Sequence, residues 1–266
     1  MPASCTNRFS KPNELHFYTS ASDSYIYCAN DNYTAAWTST WGTAVYWDPV
    51  LGVGQSSPST GIGPATKYEI WRAYLYFNMT ALPTSLSIQK AVLTLYTTDI
   101  EWINTNFNIT IQNGQPTYPH DANQATDFDK TKYSGIGGQL STVGLTEGFH
   151  DLILNPTGIS WINAGGWTKL CLRSDRDIDG IPPTNGEKIT ILASEYDNGS
   201  YRARLSIYPK STIAPPSVGG ESFPITLQTP SPTNALQRIV PWIYGILALA
   251  IATSFVAIRR TKKRED

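Results

Sequence analysis

The stretch WRAYLYF, Trp71 to Phe77, decides the fold class. Ala73, Leu75 and Phe77 fall on one side of an extended chain and Arg72, Tyr74 and Tyr76 on the other, the two-residue period of a strand. The same alternation recurs outward from it. Ala91, Leu93 and Leu95 alternate with Val92, Thr94 and Tyr96, and Phe107, Ile109 and Ile111 repeat the pattern. Further on come His150, Leu152 and Leu154, then Thr168 to Ser174, Ile189 with Ile191, and Ala203, Leu205 and Ile207. Turn residues separate these runs. No amphipathic helix of ordinary length is expected in residues 1–209; the one short candidate is Pro156 to Asn163, closed by Ala164-Gly165-Gly166. Many short strands without crossover helices predict an all-β fold, a jelly-roll-like two-sheet β-sandwich over residues 25–209, preceded by an N-terminal extension, residues 1–24.

Composition agrees with strands and polar turns. Aromatic residues make up 12% of the chain, with 15 Tyr, and charged residues only 15%. The formal net charge is -1, and much of the positive charge sits at the C-terminus. The remainder is therefore acidic, which argues against nucleic acid as a partner.

Residues 210–238 include IAPPSVGGESFP and TPSPT, a composition that extends without packing a core and reads as a stalk. Residues 239–258, IVPWIYGILALAIATSFVAI, carry no charge. At about 1.5 Å per residue they are long enough to cross a bilayer core of about 30 Å. Arg259, Arg260, Lys262, Lys263 and Arg264 follow in a basic tail, residues 259–266. The positive-inside bias predicts a single-pass membrane protein with a cytoplasmic C-terminus and its head outside, on a cell surface or a virion envelope. Residues 1–25 show no apolar signal-peptide core, which leaves an upstream start, tail insertion and viral assembly from the inside as export routes. The sequons at Asn32, Asn78, Asn108 and Asn198 carry no weight, because Asn, Ser and Thr are abundant.

Of three cysteines, Cys171 lies in an apolar run and reads as a buried thiol, whereas Cys5 and Cys28 either pair in an oxidising compartment or stay reduced. His16, His120 and His150 are isolated and show no metal-ligand spacing. Nucleophile-elbow, phosphate-loop and dinucleotide signatures do not occur, so no catalytic residues are assigned.

WRAYLYFNMTALPTSLSIQKAVLTLYTT (Trp71–Thr98), together with Leu152–Glu195 and the following YRARLSIYP, resembles jelly-roll modules related to carbohydrate-binding module family 96 and the disaggregatase-related domains. The likeness spans about residues 25–209. It implies a β-sandwich used for adhesion or polysaccharide binding and displayed on cell envelopes. The chain departs from the commoner arrangement in carrying one module on a membrane stalk, with no attached catalytic domain.

A sugar site needs an aromatic platform beside polar groups, since a pyranose ring presents an apolar face and a rim of hydroxyls. Trp37, Trp41, Trp102 and Trp167 are the candidates, with partial burial in the sandwich as the alternative for each; Trp161 reads as a core plug. The Gly/Ser/Thr-rich tract from Thr34 to Ala65 reads as irregular strands at the rim rather than a binding surface.

Asp175-Arg176-Asp177-Ile178-Asp179-Gly180 places three carboxylates at alternating positions before a glycine. Position twelve of an EF-hand loop would be Gly186, so that motif is excluded. Asp175, Asp177, Asp179 and Glu187 remain candidate calcium ligands in a sandwich loop, against a solvated acidic turn offset by Arg176. The expected function is a membrane-anchored binding or adhesion module, without turnover, recognising polysaccharide or neighbouring surface proteins. A structural protein of a virion or surface layer and a polysaccharide-cleaving enzyme are the alternatives.

Overall fold

The structure, a computed structural model, describes residues 14–47, 49–58, 67–100, 103–184 and 186–210. Residues 211–238 of the stalk, the apolar segment 239–258, the basic tail, Cys5 and Trp102 lie outside the described residues. The strands are β1 (Leu15–Tyr18), β2 (Ser24–Asn30), β3 (Ala44–Tyr46), β4 (Val50–Ser56), β5 (Tyr68–Asn78), β6 (Ile88–Thr98), β7 (Asn108–Gln112), β8 (Gln139–Ser141), β9 (Gly148–Ile153), β10 (Trp167–Ser174), β11 (Glu187–Leu192) and β12 (Arg204–Pro209). Three helices of a little over one turn interrupt them: α1 (Tyr33–Trp37), α2 (Pro156–Ser160) and α3 (Asp175–Asp179). Among the described residues no helix is long and apolar enough to cross a membrane.

The fold is all-β and sandwich-like. Its ladders are antiparallel and form one hydrogen-bonded network in the order β1-β12-β6-β11-β4-β5-β10-β7-β8, with β2 and β3 attached beside β5 and β9 beside β6. The main core follows from the alternation in the sequence. Ala73, Leu75 and Phe77 of β5 and Leu170 and Leu172 of β10 meet Leu93 and Leu95 of β6, Leu152 of β9 and Leu205 and Ile207 of β12 in one buried cluster. Each such side chain contributes roughly 1.5–3 kcal/mol by leaving water.

The opposite face of β5 is buried as well. Ile70, Tyr74 and Tyr76 pack with Ile26, Cys28, Ala36, Phe128, Tyr133 and Cys171 in a second cluster. Its cover is α1 and the long connection between β7 and β8. Tyr74 donates its hydroxyl to the carbonyl of Asp127 at 2.8 Å, and Tyr76 donates to that of His120 at 2.6 Å. These bonds satisfy phenolic groups whose burial would otherwise be costly.

Two readings of the sequence change, and one that was open is narrowed. Residues 15–24 are not an extension outside the sheet, since β1 pairs with β12 and Ser24 opens β2 opposite Tyr74 of β5. Within the tract from Thr34 to Ala65, β4 is an interior strand between β11 and β5. Gly54 in that strand adopts φ +130°, and any side chain there would run into the backbone of Glu187. Cys28 is a free buried thiol.

Candidate functional site

The acidic run that resembles a calcium loop folds as α3. Ser174 caps it, its hydroxyl accepting from the Asp177 amide at 3.2 Å. Gly180 ends it at φ 70°, where a Cβ would lie 2.5 Å from the Trp37 ring. The helix turns Asp177 inward. Its carboxylate accepts from Arg72 Nε at 2.9 Å and Nη2 at 2.7 Å, and from Arg173 Nε at 2.7 Å. Arg173 also donates to Gln112 Oε1 at 2.7 Å, and Arg72 to the Phe128 carbonyl. Burial alone would raise the Asp177 pKa, but the two guanidiniums override it and hold the carboxyl well below the usual range.

The other proposed calcium ligands are dispersed. Asp175 accepts from the Asn108 amide at 3.0 Å and from its side chain at 2.6 Å. Asp179 is exposed. Glu187 is buried and accepts from Gln55 Nε2 at 2.9 Å and Arg176 Nε at 2.8 Å. Among the described residues no three His, Cys, Asp or Glu side chains gather into a group that could hold a metal. The sequence expectation of calcium ligands at Asp175, Asp177, Asp179 and Glu187 is therefore not matched by the geometry, because the four carboxylates do not gather, and guanidinium and amide donors hold those of Asp175 and Asp177 and one oxygen of Glu187.

The tryptophans separate by environment. Trp37 is a lid over the ion-pair cluster: its indole nitrogen donates to the Asp177 carbonyl at 2.7 Å, and Lys130 Nζ sits over its ring. It offers no platform. Trp41 stands 63% exposed on the turn before β3, outside the cavity described next. Trp161 packs against the main core, its ring over Gly135 and Gly137.

Trp167, 38% exposed at the start of β10, lines a cleft of about 630 Å³. Asn113, Gln115, Asp121, Trp161, Asn163 and Lys169 share its walls. Local structure fixes most of them. Asn155 caps α2 by accepting from the Gly158 amide at 2.9 Å, which sets Trp161 and Asn163 just beyond the helix. Gln115 Nε2 donates to Asn113 Oδ1 and to the Trp161 carbonyl, both at 3.0 Å, while its Oε1 accepts from the Lys169 amide at 3.1 Å. Lys169 Nζ donates to the Pro119 carbonyl at 2.6 Å. Partial burial lowers the pKa of its ammonium, and Asp121 and Asp127 oppose that shift. The cleft thus presents two indoles, Trp161 and Trp167, beside amides, a carboxylate and an ammonium. Its size lies within the range of small-molecule pockets, about 300–1,000 Å³.

Of the four tryptophans singled out in the sequence, Trp167 alone lines this cleft, and Trp102 lies outside the described residues. Asn113, Gln115, Asp121 and Lys169 carried no motif. The one local signal was the density of amides and prolines in Asn113–Pro119.

Compared with known proteins, the chain matches no family model and no curated sequence.

Proposed function

We propose that the head is a non-catalytic glycan-binding module, jelly-roll in topology, displayed outside a membrane by the segment 239–258. The observation that carries the binding role is the Trp167 cleft. An indole suits the apolar face of a sugar ring, and Asn113, Asp121 and Asn163 suit its hydroxyls. The preset hydrogen bonds of Gln115 and Lys169 keep the walls from collapsing, which lowers the entropy lost on binding. Binding without turnover fits the chemistry of the lining. A glycosidase uses two carboxyl groups about 5–9.5 Å apart, and Asp121 is the one carboxylate among the described residues that line this cleft.

The test is titration of the full-length protein with neutral oligosaccharides, followed by tryptophan fluorescence and calorimetry. Binding that falls at least tenfold in Trp167→Ala, with the melting temperature kept, supports the reading. Binding that is absent across a broad neutral-glycan panel, or unchanged in that variant, overturns it. The display role fails separately if the full-length protein is released from membranes by carbonate washing.

A further inference from the structure

A second hollow, separate from the Trp167 cleft, lies on the face of β6 and β12 turned away from the main core. Strand register builds it. Across β9, β6, β12 and β1 one row reads Asp151, Thr94, Arg204, Tyr18. Thr94 is short and nearly buried, so its taller neighbours stand around it. Exposed Phe149 rises from β9 and exposed Tyr18 from β1, and Arg202, two residues before β12, completes the lining. The space is about 530 Å³, within the range of small-molecule sites, about 300–1,000 Å³.

One wall is aromatic and packed edge to face. Phe149 meets Tyr96 at 5.0 Å between centroids with an interplanar angle of 87°, Tyr96 meets Tyr201 at 4.5 Å, and Tyr196 lies 5.8 Å from Tyr201. Rings pack this way because a positive edge meets a negative face. Phe149 is the member of the set that lines the hollow, and it is 55% exposed. Its uncovered side has room for one more ring.

Two guanidiniums and a carboxylate share the hollow with that wall. Arg202 lies over the Tyr18 ring at 4.7 Å. Neither Arg202 nor Arg204 forms an ion pair or a side-chain hydrogen bond to protein among the described residues, and Arg204 Nε is buried without an acceptor. Most buried donors find partners. Asp151 Oδ1 accepts from Thr94 Oγ1 at 2.7 Å, and its Oδ2 has no partner among the described residues. Glu14, whose charge also reaches Arg204, accepts instead from the Tyr208 hydroxyl at 2.6 Å. The hollow therefore offers guanidinium forks to a carboxylate, an open carboxylate oxygen to an ammonium and a wall to an aromatic ring.

We propose that this hollow binds a free aromatic α-amino acid, its carboxylate on Arg202 and Arg204, its ammonium on Asp151 and its ring against Phe149. Such a molecule carries both charges on one carbon with the ring a methylene away. Asp151 and Arg204 flank Thr94 across two strand spacings, about 10 Å between backbones, a gap that their side chains and one zwitterion fill. The site shares no residue with the Trp167 cleft and does not rest on the glycan-binding reading.

The test is calorimetry on the full-length protein with L-phenylalanine, its amide, its N-acetyl derivative and L-alanine, repeated on Arg202→Gln, Arg204→Gln, Asp151→Asn and Trp167→Ala. Phenylalanine is expected to bind saturably and alanine is not. Removing one charge from the ligand, or its partner charge from the protein, is expected to weaken binding about tenfold or more, the worth of a charge-assisted hydrogen bond. The N-acetyl derivative should bind Asp151→Asn as well as it binds the unaltered chain, and Trp167→Ala should leave phenylalanine binding unchanged. Arg202 and Asp151 are exposed, so their variants keep the fold even if Arg204→Gln lowers the melting temperature. The inference is overturned if phenylalanine does not bind, if its amide binds equally well, if Arg202→Gln and Asp151→Asn both bind it normally, or if Trp167→Ala removes binding. Oligosaccharide binding that depends on Trp167 while phenylalanine fails would sink this site and leave the cleft standing. The reverse result would keep the site and sink the cleft.

Discussion

Arg72 and Asp177, distant in sequence, meet through two hydrogen bonds of 2.9 and 2.7 Å with both side chains fully buried. With Arg173 as the second donor to the same carboxylate, the cluster joins β5, β10 and α3 behind the Trp37 lid. Removing the carboxylate would leave two buried cations facing each other. Asp177→Asn is therefore expected to cost about 3–5 kcal/mol, the range for breaking a buried ion pair, measured by denaturant unfolding. A loss below about 1 kcal/mol, the scale of an exposed pair, would contradict this account. The Asp177 pKa is depressed in the folded state, so its contribution is present above the unfolded carboxylate pKa, roughly 4, and is lost as pH falls toward the lower folded value.

On the same geometry the acidic run is expected to be indifferent to calcium. Melting curves in excess calcium and in excess chelator are expected to coincide. A calcium-dependent rise that disappears in Asp177→Ala would restore the metal reading.

Asp23 predicts the opposite pH slope. Its Oδ1 accepts from the Tyr76 amide at 3.1 Å, while Oδ2 and the nearby Thr19 hydroxyl are buried without partners. Burial, chiefly, raises its pKa well above the usual carboxylate range, and Glu195 adds to the shift. A raised folded pKa means stability that is complete below the unfolded pKa and is lost as pH rises through the folded one. Asp23→Asn should flatten that decline in a series of melting temperatures from acid to neutral pH. An unchanged slope would place Asp23 in a better-solvated setting.

Both described thiols are inert by burial. Cys171 has no exposure, and desolvation pushes its pKa up to about 12; Cys28 is buried in the same cluster. In a Cys5→Ser chain, a thiol-specific reagent at neutral pH should label neither until denaturant is added. Fast labelling of the native chain would show that the second cluster opens readily.

Sequence periodicity exposed the all-β class because the main core reads as alternation in each strand, Ala73-Leu75-Phe77 above all. The second core was hidden. Nothing local in Arg72, Tyr74 and Tyr76 tells that Phe128 and Tyr133 from a distant connection cover them. β4 read as an irregular rim strand, not an interior one, because Gly52 and Gly54 replace side chains that would mark a buried strand. The candidate sites were hidden for a related reason. Asp177 looks like a metal ligand until Arg72, 105 residues away, is brought beside it. Trp37 and Trp167 look alike in sequence, and only their neighbours make one a lid and the other part of a cleft wall.

β12 lies between β1 and β6, with Ile207 opposite both Leu15 and Ala91. The last strand of the head is thus a keystone between its first strand and an early one. Until residues 204–209 are synthesised, the facing edges of β1 and β6 have no partner, and unpaired edges invite association between chains. Closure across so long a sequence separation is slow. A chain shortened before Arg204 should therefore clump rather than fold, and a nascent head would need its edges shielded until the final strand arrives.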